Sequence, residues 1–195
     1  MGTAQSALER MCDPAIEVSA HYLISAQGEV LQLVEEEARA WHAGAGAWGD
    51  VEDVNSRSIG IELANDGAVP FAHPQMDALE DLLGAIMARW SIPPERVIGH
   101  SDMAPERKQD PGPRFDWRRL ARAGLSIWPE PSGDEGDFHA DLRAFGYPDA
   151  APELLLAAFR MRFRPWGSGP LGPEDRRIAR ALAASFPIDR TGLAS

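Results

Sequence analysis

The sequence predicts an α/β fold, a mixed β-sheet flanked by helices, followed by a small all-α C-terminal domain. Three observations predict it. Strand-like runs alternate with helical periodicities over residues 1–128, a stretch rich in Pro, Gly and acid (PEPSGDEGD, 129–137) interrupts them, and three short helical patterns follow within 138–195.

Taken in order, Thr3 can cap a helix in which Ala4, Ala7, Leu8 and Met11 recur at helical spacing, and Asp13-Pro14 ends it. Cys12 is expected as a buried helix-end residue. Residues 20–25 and 30–34 are β-rich runs separated by AQGE, which reads as a hairpin, and 58–63 is a third strand. Pro74 opens a long helix whose apolar face is Met76, Leu79, Leu83, Ile86, Met87 and Trp90, with Pro93-Pro94 after its end. Residues 97–98 form a short strand leading into His100. Beyond the linker the helical patterns cover 138–145, 152–163 and 173–185, with GYP and WGSG turns between them.

Composition narrows the function classes. A chain of 195 residues with 44% apolar content can bury a core plus a small appendage. A formal charge of -11 argues against nucleic acid, because a phosphate backbone demands clustered Lys and Arg. No stretch is long or apolar enough to span a membrane. A single cysteine forms no intrachain disulfide and suits a reducing compartment. With no secretory signal at Met1, a cytoplasmic monomer is expected, or a periplasmic one if a leader precedes residue 1.

The most informative stretch is GHSDMAPERKQDPG, 99–112. It brings an imidazole (His100), a cation (Lys108) and a carboxylate (Asp110) into a segment dense with turn formers. A catalytic zinc takes about three protein ligands of the His, Asp, Glu or Cys type and keeps a position for water. In an extended segment Lys108 and Asp110 share a side while Gln109 points away. On spacing alone a surface turn with a solvated PERK cluster is an equal reading. Glu62 alternates with Ile59, Ile61 and Leu63 on its strand, so it takes the polar side, as an exposed carboxylate or a site residue. Arg39-Ala40-Trp41-His42 combines cation, indole and imidazole in a loop, suiting a ligand with carboxylates and apolar sugar faces.

Several blocks, VSAHYLIS (18–25), RAWHAG (39–44), NSRSIGIEL (55–63), GHSDMAPERKQDPG and FDWRRL, stand in the order that resembles the zinc-dependent N-acetylmuramoyl-L-alanine amidases of the AmpD and AmiD kind, the type 2 amidases. The resemblance implies an amidase or peptidoglycan-recognition-like fold and a Zn2+ cofactor held by His100 and Asp110. It also implies that Glu62 acts on the water, that Lys108 stabilises the tetrahedral intermediate, and that Arg39 and Arg107 bind carboxylates of peptidoglycan or anhydro-muropeptides. Beside Glu62, Gly60 would leave room for substrate. The C-terminal helices resemble, more loosely, a peptidoglycan-binding domain, with AFRMRF as the matching run. A purely structural tail is the other reading.

One element of the pattern is missing. The family's first zinc ligand is a histidine in an HYTGM-like segment, of which Met1-Gly2-Thr3 looks like the tail, so it is expected just upstream. None of His21, His42, His73 or His139 is an obvious substitute, and His21 reads as structural. The alternative function is therefore a peptidoglycan-binding module that does not cut. A third class, an interaction protein using the acidic surface, has only its charge in support.

Overall fold

The computed structural model describes residues 4–13, 15–131 and 133–188. Helix α1 (Ala4–Met11) lays Ala4, Ala7, Leu8 and Met11 on Leu23, Leu31 and Ala64 of the sheet. Thr3 and Pro14, expected to cap and to end it, lie outside the described residues. Cys12 is exposed rather than buried. The helix stops at Met11, and the next residue no longer belongs to the face that meets the sheet.

Strand β1 (Tyr22–Ile24) is central, antiparallel to β2 (Val30–Gln32) with Leu23 opposite Leu31, and parallel to β3 (Ile61–Leu63) with Leu23 beside Glu62. The sheet order is β2-β1-β3, so β3 is an edge among the described residues. The predicted hairpin is present. Its turn needs Gly28, at φ +85, because a Cβ there would stand 2.6 Å from the Pro74 carbonyl oxygen. All three strands are shorter than expected. Residues 97–98 pair with no strand among those described, although Val97 is extended (φ -84, ψ 108).

Paired neighbours in a sheet share a face, so Glu62 looks the same way as Leu23, toward the α1 side. The opposite face, with Ile24, Ile61 and Leu63, is covered by helix α2 (His73–Trp90) through Met76, Leu79 and Leu83. Pro74 sits in its first turn as expected, and Ser91 closes it in a left-handed conformation with its N–H on the Met87 carbonyl. Gln75, fully buried, donates to the carbonyls of Ile24 (2.9 Å) and Ala64 (3.3 Å) and so ties α2 to the ends of β1 and β3. Trp90 departs from its expected place on the apolar face: it is 42% exposed, and its indole N–H donates to Glu36 at 2.5 Å.

Two short helices follow, for which the sequence predicts no element: α3 (His100–Met103) and α4 (Trp117–Arg122), the latter capped by Asp116, which accepts from the Arg119 N–H. Then α5 (Phe138–Phe145), α6 (Pro152–Phe163) and α7 (Pro173–Ser185) coincide with the three predicted helices. Asp137 caps α5 through the Ala140 N–H, and prolines open α6 and α7.

These last helices do not form a core of their own. Phe138, Leu142, Phe145, Phe159, Phe163, Ile178 and Leu182 pack in one continuous cluster with Ala43, Trp48, Val54, Met103, Ala104 and Ile127. Trp48 stands edge-on to Phe145 at 5.3 Å, and the Gly49 N–H donates to the Gly146 carbonyl at 2.7 Å. Each of these fully buried aromatic or aliphatic side chains is worth about 1.5–3 kcal/mol. The helices therefore back directly onto the 43–54 loop and onto α3.

Candidate active site

Five of the six candidate site residues lie along one cleft of about 1330 Å³: Glu62, His100, Arg107, Lys108 and Asp110. His100 opens α3, and the Ser101 N–H donates to the Asp110 carbonyl at 3.0 Å, which draws the two segments together. His100 Nδ1 meets Asp110 Oδ2 in a short contact, with side-chain exposures of 21% and 53%. No side chain fits at Gly99, where a Cβ would approach Pro111 Cδ to 2.6 Å and Trp117 Cζ2 to 3.3 Å.

The electrostatics follow from this packing. Burial pushes the Glu62 carboxyl above its ordinary value and Asp110 pushes the same way, while His100 and Lys108 offset part of the rise. For Asp110 burial also acts upward, yet the hydrogen bond and charge of His100, with Lys108, outweigh it and leave its pKa low. The surroundings thus push the two carboxyls in opposite directions, Glu62 upward and Asp110 downward.

A nitrogen and an anionic oxygen facing each other match the donor types that zinc takes. They supply two positions. Among the described residues, no group of three His, Cys, Asp or Glu side chains is placed to hold an ion. His21 is structural: its Nδ1 accepts from the Gly60 N–H at 3.0 Å, which leaves Nε2–H to donate to the Ala38 carbonyl at 3.0 Å. His73 pairs with Asp77 and His139 lies edge-on to Phe138, both outside the cleft lining.

His42 lines the same cleft as Glu62. Burial, helped by His21 and His100, lowers its pKa to about 4, so it is neutral near pH 7. Its ring also gives Gly60 a different purpose from the one expected. A Cβ on residue 60 would fall 2.3 Å from His42 Cγ, so the glycine makes room for the imidazole rather than for substrate.

The two arginines are already engaged. Arg39 grips Asp53 with both terminal nitrogens at 3.0 Å, donates to Ser56 Oγ at 2.6 Å and stacks on Trp41 at 4.2 Å, outside the cleft lining. Arg107 lines the cleft, yet it donates to the carbonyls of Ala43 (2.8 Å) and Ala45 (3.1 Å). Asn55 completes this bracing, since its Oδ1 accepts from the N–H groups of His42 (3.0 Å) and Ala43 (2.8 Å). Sequence reasoning missed Asn55, whose one signal is a short polar side chain ahead of a strand.

A family model for N-acetylmuramoyl-L-alanine amidase matches residues 1–113. The N-acetylmuramoyl-L-alanine amidase AmiD of Escherichia coli is 36% identical over 89% of this chain and 76% of its own length. The 1,6-anhydro-N-acetylmuramyl-L-alanine amidase AmpD of Enterobacter cloacae is 43% identical over 53% of this chain and 55% of its own. Among solved structures, E. coli AmiD in complex with anhydro-N-acetylmuramic acid-L-Ala-D-γ-Glu-L-Lys superposes with a TM-score of 0.83 at 36% identity, covering 93% of this chain and 84% of that one. AmpDh3 of Pseudomonas aeruginosa with an anhydromuramic pentapeptide gives 0.82 at 32% identity, covering 96% and 89%. Both superpositions extend across the C-terminal helices.

Proposed function

The chain belongs to the N-acetylmuramoyl-L-alanine amidase family, and from that premise we propose that it hydrolyses the amide between the lactyl group of N-acetylmuramic acid and the L-alanine of the stem peptide, in peptidoglycan or anhydro-muropeptides. The observation that carries this is the convergence of Glu62 with His100, Lys108 and Asp110 along one cleft, from segments far apart in the chain.

His100 and Asp110 would hold Zn2+. A zinc ion held there would supply Lewis-acid polarisation of the scissile carbonyl and acidify water at the site. Glu62 takes the proton from the attacking water and passes it to the leaving amine; its raised pKa brings the carboxyl closer to the range in which one group can do both. The Lys108 ammonium meets the negative charge that develops on the carbonyl oxygen. Arg107 keeps the 43–45 wall in place for the peptide. For either Arg107 or Arg39 to bind a substrate carboxylate as well, it must share its present partners.

We place the third ligand on a strand ahead of α1, lying between β3 and residues 97–99. What supports this is the edge of β3, unpaired among the described residues, the extended backbone at Val97, and a cleft walled by apolar residues of α2 and α4, including Leu79, Leu83 and Leu120. A sheet edge and an apolar wall are both costly to leave to water. Helices α5 to α7 are assigned to grip the polymer. Trp166 is 62% exposed and lies 6.2 Å from Trp128, a pair on which sugar faces can stack.

The non-cutting reading has one observation in its favour, the two-ligand set among the described residues. Incubating full-length protein and its Glu62→Ala variant with a muropeptide, and following the released stem peptide by chromatography, separates the two. Cleavage by the parent that disappears in the variant, with zinc retained, supports the amidase. No cleavage by zinc-loaded parent leaves the binder.

A further inference from the structure

Helix α3, which carries His100, is fastened to the C-terminal helices through a single buried charge. Asp102 has no exposed surface, and its carboxylate accepts hydrogen bonds from the Gly99 N–H (2.9 Å), from Arg162 Nη1 (2.7 Å) and from the Tyr147 hydroxyl. Arg162, on α6, is 1% exposed, and its other terminal nitrogen donates to the Val97 carbonyl at 2.8 Å. One guanidinium thus spans both ends of the segment 97–102, with His100 inside the closed loop. Its faces lie 4.4 Å from the Trp117 ring and 4.8 Å from Phe163. Trp117 in turn presses on Gly99 beside Pro111, so the guanidinium, the indole and the proline leave the two ligand-bearing segments no slack on that side.

We propose that Arg162 and Tyr147 are positioning residues for the metal-binding pair, acting through Asp102 to fix the backbone that presents His100. The proposal rests on the reading of His100 and Asp110 as metal ligands. A four-residue helix has no stability of its own, since isolated helices shorter than about 12–15 residues are marginal even with favourable sequences. Its geometry must be imposed from outside. Met103, within the helix, and Ala104 after it bury the helix in the apolar cluster, and the Ser101 N–H and the Met103 carbonyl tie it to Asp110 and Ala47. Apolar contact is non-directional, whereas a carboxylate with three converging donors fixes the orientation of the side that faces α6. A buried ion pair can often be exchanged for apolar side chains without loss of stability, so this one is better explained by the geometry it selects than by the energy it adds. Metal ligands tolerate displacements of only about 0.5 Å, which is what such a clamp controls. The C-terminal helices are, on this view, part of the support of the catalytic centre in addition to any role in holding polymer.

The test is zinc affinity, measured by competition with a chromogenic chelator in full-length protein. Arg162→Met keeps the aliphatic bulk and removes both bonds; Tyr147→Phe removes a single hydroxyl and preserves the packing. Loss of a partner behind a metal ligand weakens binding by about 10–100-fold, and we expect Arg162→Met in that range, Tyr147→Phe at several-fold, and Arg162→Lys between Met and the parent. Leu182→Ala, in the same apolar cluster but without a bond to Asp102, should lower the melting temperature yet leave zinc affinity within about twofold. Parental affinity in both Arg162→Met and Tyr147→Phe, or equal weakening in Leu182→Ala, would overturn the clamp. His100→Ala distinguishes the levels: unchanged affinity there overturns the ligand assignment beneath it, whereas weakened affinity there with parental values at 162 and 147 overturns the clamp alone.

Discussion

Gly60 lies directly beneath the imidazole of His42, so close that a methyl group on residue 60 would stand 2.3 Å from His42 Cγ. The same glycine fixes His21 from its backbone, and two residues on is Glu62. Alternate residues of a strand share a face, so the imidazole crowds the same side of the strand from which the Glu62 carboxylate projects.

Gly60→Ala must push β3 or His42 aside. Overpacking of this kind costs about 1–3 kcal/mol, and displacing a catalytic group by about 1 Å reduces rate on the order of a hundredfold. We expect a lower melting temperature and a larger fall in kcat than in KM. The double variant Gly60→Ala/His42→Ala, which removes the clash, should recover part of both. Steady-state kinetics and thermal melts of the three proteins check it, and an unrecovered double variant would point to a separate role for His42.

Glu36 predicts an acid-sensitive stability. It accepts from both Arg89 and Tyr22 and from the Trp90 indole, and the Arg89 hydrogen bond, outweighing burial and helped by Trp90 and Tyr22, lowers its pKa from 4.5 to about 2. A depressed folded-state pKa contributes stability that is fully present above the unfolded value and is lost as pH falls toward the folded one. Between pH 5 and about 2 the parent should lose stability with a slope that Glu36→Gln reduces. Chemical denaturation across that range reads it directly. Equal slopes would show that Glu36 is already free in the native state.

Arg107→Lys keeps the charge but cannot span the Ala43 and Ala45 carbonyls, because an ammonium lacks the fork. Loss of one such bond costs about 1–3 kcal/mol. The expected outcome is a raised KM with a smaller change in kcat, as the 43–45 wall loosens. An unchanged KM would mean that charge alone is what this position supplies.

Metal content tests the proposed ligand set. Two ligands hold zinc far less well than three. The 195-residue chain, purified without chelators, should carry much less than one zinc, and a version extended upstream by a strand bearing a histidine about one per chain. Plasma emission measures both. A full complement in the shorter chain would require a ligand among the residues already described.

The parts that sequence made legible are those whose signals are local. Asp137, Pro152 and Pro173 mark where α5, α6 and α7 begin, and the apolar repeat does the rest. Strand length was overestimated because pairing belongs to the neighbour as much as to the segment: β1 has two partners and β3 has one, while Val97 has the dihedrals of a strand and no ladder among the described residues. Helices α3 and α4 are too short for periodicity to register. The link between Asp102 and Arg162 spans 60 positions, and its only trace in the sequence is an arginine inside the apolar run AFRMRF. Glu62 was legible as a polar position on its strand, and its nearness to His100 was not, since that depends on how two loops fold over a sheet edge.

The shared packing of Trp48, Phe145, Tyr147 and Met103 has a consequence for how the molecule can be taken apart. A protease that nicks the acidic linker at 129–137 severs the chain without separating its halves, because the fragments remain joined by a shared apolar interior and a buried ion pair. Such a nicked protein should run as one particle on a sizing column and as two bands in detergent. It should also melt in a single transition, and the helical end should not transplant as a detachable cartridge.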